Sequence, residues 1–93
     1  MTITVRYMAH LKQAAGLSAE SVEMDRPCTA LELMQTLAAR HGPALRRLLL
    51  DANDRLQPTI LLFVNDVQVM GEAATQLNDG DEVSLLAPIA GGQ

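Results

Sequence analysis

The sequence predicts an α+β roll: a mixed sheet of about five strands, with one main helix laid across one face and short helices beside it. Three observations lead there. Residues 2–8 alternate polar and apolar, as a half-buried strand does. A helix start with a capping signal stands at Thr29. Two more strand-like runs, 59–64 and 83–86, follow that helix.

In the opening strand Ile3, Val5 and Tyr7 share one face, while Thr4 and Arg6 share the other. Residues 9–15 suit a short helix closed by Gly16 in the left-handed conformation that a helix end requires. Residues 21–24 alternate again and predict a second strand, a hairpin partner of the first. Thr29 precedes Glu32 by the three residues of a capping box, in which each side chain satisfies the other's free backbone N–H. Leu31, Met34, Leu37 and Ala38 then recur at helical spacing, with Glu32, Gln35 and Arg40 turned away. Gly42-Pro43 ends this helix and begins another carrying Leu45, Leu48 and Leu49, since proline fits a first helical turn.

The run 59–64 reads as a strand, and Asn65-Asp66 tolerate the positive φ of a tight hairpin turn into 67–69. Residues 71–80 read as a polar loop whose sharpest turn is Asp79-Gly80-Asp81. The last strand is 83–86, ended by Pro88. Both faces of 60–64 are apolar, because Ile60, Leu62 and Val64 alternate with Leu61 and Phe63. One helix covers one face of a small sheet. Either a short helix or loop shields the second face, or Leu61 and Phe63, with Leu86 on the last strand, form a partner-docking surface.

Ninety-three residues, 48% of them hydrophobic, fit one domain around one core. With one Phe, one Tyr and no Trp, the chain has almost nothing on which bases can stack. Its formal charge of -4 also disfavours phosphate binding, so nucleic acid is not an expected partner. No apolar stretch is long enough for a bilayer, the alternating start is unlike a signal peptide, and the single Cys28 has no internal disulfide partner. A cytoplasmic protein with a reduced, half-buried Cys28 is expected. His10 and His41 have no Cys or carboxylate at ligand spacing. Ser18, Ser21 and Ser84 belong to no His-acid constellation. Asp79, Asp81 and Glu82 lack the spacing of a calcium loop and read as a turn, with an acidic rim. Arg46-Arg47 read as a solvated helix face. Neither a metal site nor a catalytic set of the chain's own is expected.

Residues 77–92, Leu-Asn-Asp-Gly-Asp-Glu-Val-Ser-Leu-Leu-Ala-Pro-Ile-Ala-Gly-Gly, are similar to the C-terminal signature of the molybdopterin-synthase small subunit and related sulfur carriers. Val5-Arg6-Tyr7-Met8 with Gly16-Leu17-Ser18 resembles the opening of the same family, and the helix at Thr29 and the strand before Asn65-Asp66 fall where the family has theirs. The resemblance implies a β-grasp, ubiquitin-like domain over residues 1–88 and a flexible Gly-Gly tail over 89–93. It also implies a chemistry. An E1-like adenylating enzyme uses ATP to activate the carboxylate of Gly92, a sulfur donor displaces AMP, and the resulting thiocarboxylate donates sulfur. No cofactor is bound permanently.

The implied recipient is the molybdopterin synthase large subunit, or another sulfur acceptor serving thiazole, cysteine or secondary-metabolite synthesis. From a different class, a ubiquitin-like interaction module that carries no sulfur would share the fold. Pro88 stiffens the root of the tail, while Ile89, Ala90 and Gly91 lead Gly92 into a partner's channel; glycine, without Cβ, adopts the φ/ψ that such threading demands. Two departures stand out. Gln93 follows Gly92, so a peptidase is expected to remove it, and Leu86-Ala87 stand where the molybdopterin carriers often have Phe-Pro.

Overall fold

A computed structural model describes residues 1–69 and 75–87. Pro88 and the predicted tail, residues 89–93, lie outside them, as do Met70 and residues 71–74 of the predicted loop.

Strand β1 (Thr2–Met8) runs into helix α1 (His10–Ala15), which ends at Gly16 with φ 81°. Strand β2 (Ala19–Glu23) returns antiparallel to β1, placing Ile3 opposite Val22. A two-residue strand β3 (Cys28–Thr29) leads into helix α2 (Ala30–His41). The capping box is formed: Glu32 N–H donates to Thr29 Oγ1 at 3.2 Å, and Thr29 N–H donates to Glu32 Oε1 at 2.9 Å. Helix α3 (Pro43–Leu49) follows with proline in its first turn.

Strand β4 (Leu61–Val64) and strand β5 (Val67–Val69) form the expected hairpin. Asn65 and Asp66 take φ 51° and 69°, values that these short polar side chains tolerate. The strand begins at Leu61 rather than Thr59, because Ile60 N–H closes a turn onto the Gln57 carbonyl at 3.1 Å. Strand β6 (Gln76–Leu77) pairs with β3, so part of the segment expected as loop forms a small second sheet. That pairing covers Cys28, which is 3% exposed and therefore fully buried rather than half-buried.

Strand β7 (Glu82–Leu86) completes a five-stranded sheet in the order β2-β1-β7-β4-β5. It lies parallel to β1 and antiparallel to β4, which makes the sheet mixed and puts the last strand at its centre. Ile3, Val5, Tyr7, Val22, Leu62, Val83 and Leu85 form one buried face. Onto it pack Ala30, Leu33, Met34, Leu37 and Ala38 of α2, with Leu11 of α1 and Leu45 and Leu49 of α3 in the same cluster. The buried stripe of α2 thus runs through Leu33, while Leu31 lies half-buried at its margin. This is the β-grasp arrangement. No helix among the described residues is long and apolar enough to cross a membrane.

Candidate functional site

The sheet register determines what stands where β7 gives way to the tail. Side chains alternate across a strand, so burial of Val83 and Leu85 sends Glu82, Ser84 and Leu86 to the opposite face. On that face Leu86 is flanked by Met8 of β1 and Leu61 of β4. The next row is Arg6, Ser84, Phe63 and Gln68, and the row beyond pairs Thr4 with Glu82. Leu61, Phe63 and Leu86 are half-buried, and Met8 is 44% exposed.

Helices α1, α2 and α3 contribute their buried residues to the other face, so among the described residues the apolar row Met8–Leu86–Leu61 is left partly open to solvent. The structure therefore brings Leu61, Phe63 and Leu86 together on one surface. Met8 joins them, a residue the sequence reading passed over, although strict alternation from Tyr7 points it outward. Ser84 sits between Arg6 and Phe63 and is 6% exposed. Ala87, the last described residue before the tail, is 9% exposed. Pro88, Ile89, Ala90, Gly91, Gly92 and Gln93, predicted as the threading, thiocarboxylate and processing residues, lie outside the described residues.

The opposite end of the sheet is tied by polar contacts. Asp79 Oδ1 accepts from Thr2 N–H at 2.8 Å, Asp81 Oδ2 accepts from Asn78 N–H at 2.8 Å, and Asn65 Nδ2 donates to Asp81 Oδ1 at 3.0 Å. Glu82 pairs with Arg6 across the β1–β7 seam. These carboxylates thus build the turn and fasten the hairpin, as a sharp Gly80 turn with φ 87° requires.

One cluster was not legible from spacing. The Glu20 carboxylate accepts from the Tyr7 hydroxyl at 2.5 Å and from Arg40 Nη1 at 2.9 Å, and it meets His41 Nε2 at 2.5 Å. The rings of Tyr7 and His41 meet edge to face with centroids 5.9 Å apart. His41 therefore does have a carboxylate neighbour, supplied from 21 residues away by the β2 strand. The cluster pins β1, β2 and the end of α2 together. Among the described residues no group of three His, Cys, Asp or Glu side chains could hold a metal. The Cys28 thiol is pushed above its usual range by burial and by the nearby Glu32 charge, with Arg26 opposing, so it is a poor nucleophile.

The ThiS family model matches residues 5–92. The molybdopterin synthase sulfur carrier subunit of Chlamydomonas reinhardtii is 29% identical over 99% of this chain and 100% of its own length. Small archaeal modifier protein 3 of Haloferax volcanii is 27% identical over the same shares. The crystal structure of SAMP1 from Haloferax volcanii superposes with a TM-score of 0.85 at 24% identity, covering 99% of this chain and 100% of that one, which is a likeness of fold.

Proposed function

This chain belongs to the ThiS family, and from that premise we propose that it is a sulfur carrier whose reacting group is the backbone carboxylate of Gly92. Hydrolysis of the Gly92–Gln93 bond by a peptidase frees that carboxylate. An E1-like enzyme then transfers AMP to it from ATP, with pyrophosphate leaving. A sulfur nucleophile attacks the glycine carbonyl carbon, AMP departs with the electron pair of the C–O bond, and a thiocarboxylate remains. The chain itself supplies a slim, glycine-ended arm and a surface that seats it on its partners.

The observation that carries this reading is the place of β7. The strand occupies the centre of the sheet and finishes between Met8 and Leu61, so the chain leaves the sheet at the middle of the open apolar row. A partner seated on Met8, Leu61, Phe63 and Leu86 thereby receives the tail directly. The recipient we assign is the large subunit of molybdopterin synthase, supported by the likeness to the algal carrier subunit over the whole chain. The setting we assign is the cytoplasm.

Reconstitution tests the proposal. The chain ending at Gly92, given its cognate E1-like enzyme, ATP and sulfide, gains sulfur in place of one oxygen, and the chain still carrying Gln93 does not. Phe63→Asp leaves the fold intact but weakens association with the synthase large subunit, because it buries an unpaired charge in the interface. A chain that binds its partners unchanged with Gly92→Ala, and never gains sulfur, is an interaction module instead.

The likeness to the archaeal modifier favours a second use of the same activated tail, transfer to an amine instead of to sulfur.

A further inference from the structure

An activated glycine carboxyl reacts with whichever nucleophile meets it, and this chain offers few. Its seven basic side chains are six arginines and one lysine, Lys12. Guanidinium groups stay protonated in proteins and do not form amides here. The amine of Met1 is half-buried and donates to the Met24 carbonyl at 2.9 Å, where it closes the β1–β2 hairpin. Cys28 is buried under β6 with its thiol pushed up by that burial. His41 is held by Glu20, and an acyl group on exposed His10 would be lost to water.

Lys12 differs from all of these. It is exposed on α1 and makes no ion pair among the described residues. It lines an open groove of about 550 Å³ with Ala9, Gln13, Gly16 and Leu17, in which no carboxylate among the described residues competes for the ammonium. The groove also lies at the tail end of the molecule: Ala9 directly follows Met8, which pairs with Leu86. Residues 88–92, fully extended, span at most about 18 Å. A second copy brought tail end to tail end can therefore lay a slim glycine terminus in this groove.

We propose that Lys12 is the site at which this chain accepts the activated Gly92 of a second copy, forming a Lys12-linked covalent dimer. The inference rests on the activation of Gly92 proposed above. The Lys12 ammonium gives up a proton to solvent, and the Nζ lone pair forms a C–N bond to the carbonyl carbon of the acyl adenylate. The C–O bond to AMP breaks with its electron pair on AMP, and a second proton leaves the nitrogen. No oxidant or reductant is needed.

The test uses the chain ending at Gly92 with its cognate E1-like enzyme and ATP, without a sulfur source. ATP–pyrophosphate exchange reads activation, and denaturing gels with peptide mass mapping read linkage. The expected result is a covalent dimer joined through Lys12 and Gly92, abolished by Lys12→Arg while exchange is unchanged. Dimers that persist in Lys12→Arg overturn the assignment. So does exchange with no adduct, or an amide between Lys12 and its own Gly92. Absence of exchange removes the carrier reading, and this inference with it.

Discussion

The Tyr7 hydroxyl donates to the Glu20 carboxylate at 2.5 Å across the β1–β2 hairpin, inside a cluster of titratable side chains that joins β1, β2 and α2. Burial raises the Tyr7 phenol well above its ordinary value, and the hydrogen bond to Glu20 and its charge push the same way against Arg40. A phenol whose folded value is raised stabilises the fold below its unfolded value, about 10, and loses that contribution as pH climbs beyond it. Tyr7 is the only tyrosine and there is no tryptophan, so near-ultraviolet absorbance reads it alone. We expect no phenolate signal from the folded protein at about pH 10 to 11, its rise coinciding with loss of structure. A normal titration in folded protein would break this account of the cluster.

Glu20 answers at the acid end. Burial works to raise its carboxyl, but hydrogen bonds from Tyr7, His41 and Arg40 outweigh it and hold it below the usual range. Its contribution is therefore complete above the unfolded value, about 4.3, and fades as pH falls through the lower folded one. Glu20→Gln should cost about 1–3 kcal/mol at neutral pH in denaturant titrations and flatten the acid limb of the stability curve. Equal acid sensitivity in the two proteins would argue against it.

Helix phase gives a third comparison. Leu33 is fully buried against the sheet, whereas Leu31 lies at the margin of the stripe. Leu33→Ala should lose about 2–5 kcal/mol, and Leu31→Ala less than half as much. The reverse order would place the wrong face of α2 on the sheet.

Much of this fold is written in local signals. The Thr29–Glu32 box, the Gly16 cap, the Gly42-Pro43 break and the Asn65-Asp66 turn each depend on residues within a few positions, and each is present. What escaped was long-range or too short to show a period. Strands β3 and β6 have two residues each and exist only because distant segments meet. His41 looked isolated because Glu20 reaches it through the fold. Leu33 was missed because Leu31 and Leu33 are both leucines near one helix start, and only packing decides which faces inward. The docking candidates Leu61, Phe63 and Leu86 could be named from alternation, but whether their face was shielded depended on where α1 and α3 packed.

Ala9 joins β1 to α1 with φ 52° and ψ -123°, a conformation that glycine adopts freely and alanine does not. Ala9→Gly should raise thermal stability by about 1 kcal/mol despite the added freedom of the unfolded chain. A loss of stability would mean that the turn is not strained.

The intact mass of the protein recovered from its own cells tests the central claim most directly. Sulfur carriage through Gly92 predicts a species that ends at Gly92, with part of the population heavier by the replacement of one carboxylate oxygen with sulfur. A single species that retains Gln93, in cells where the sulfur-requiring pathway is running, would contradict it.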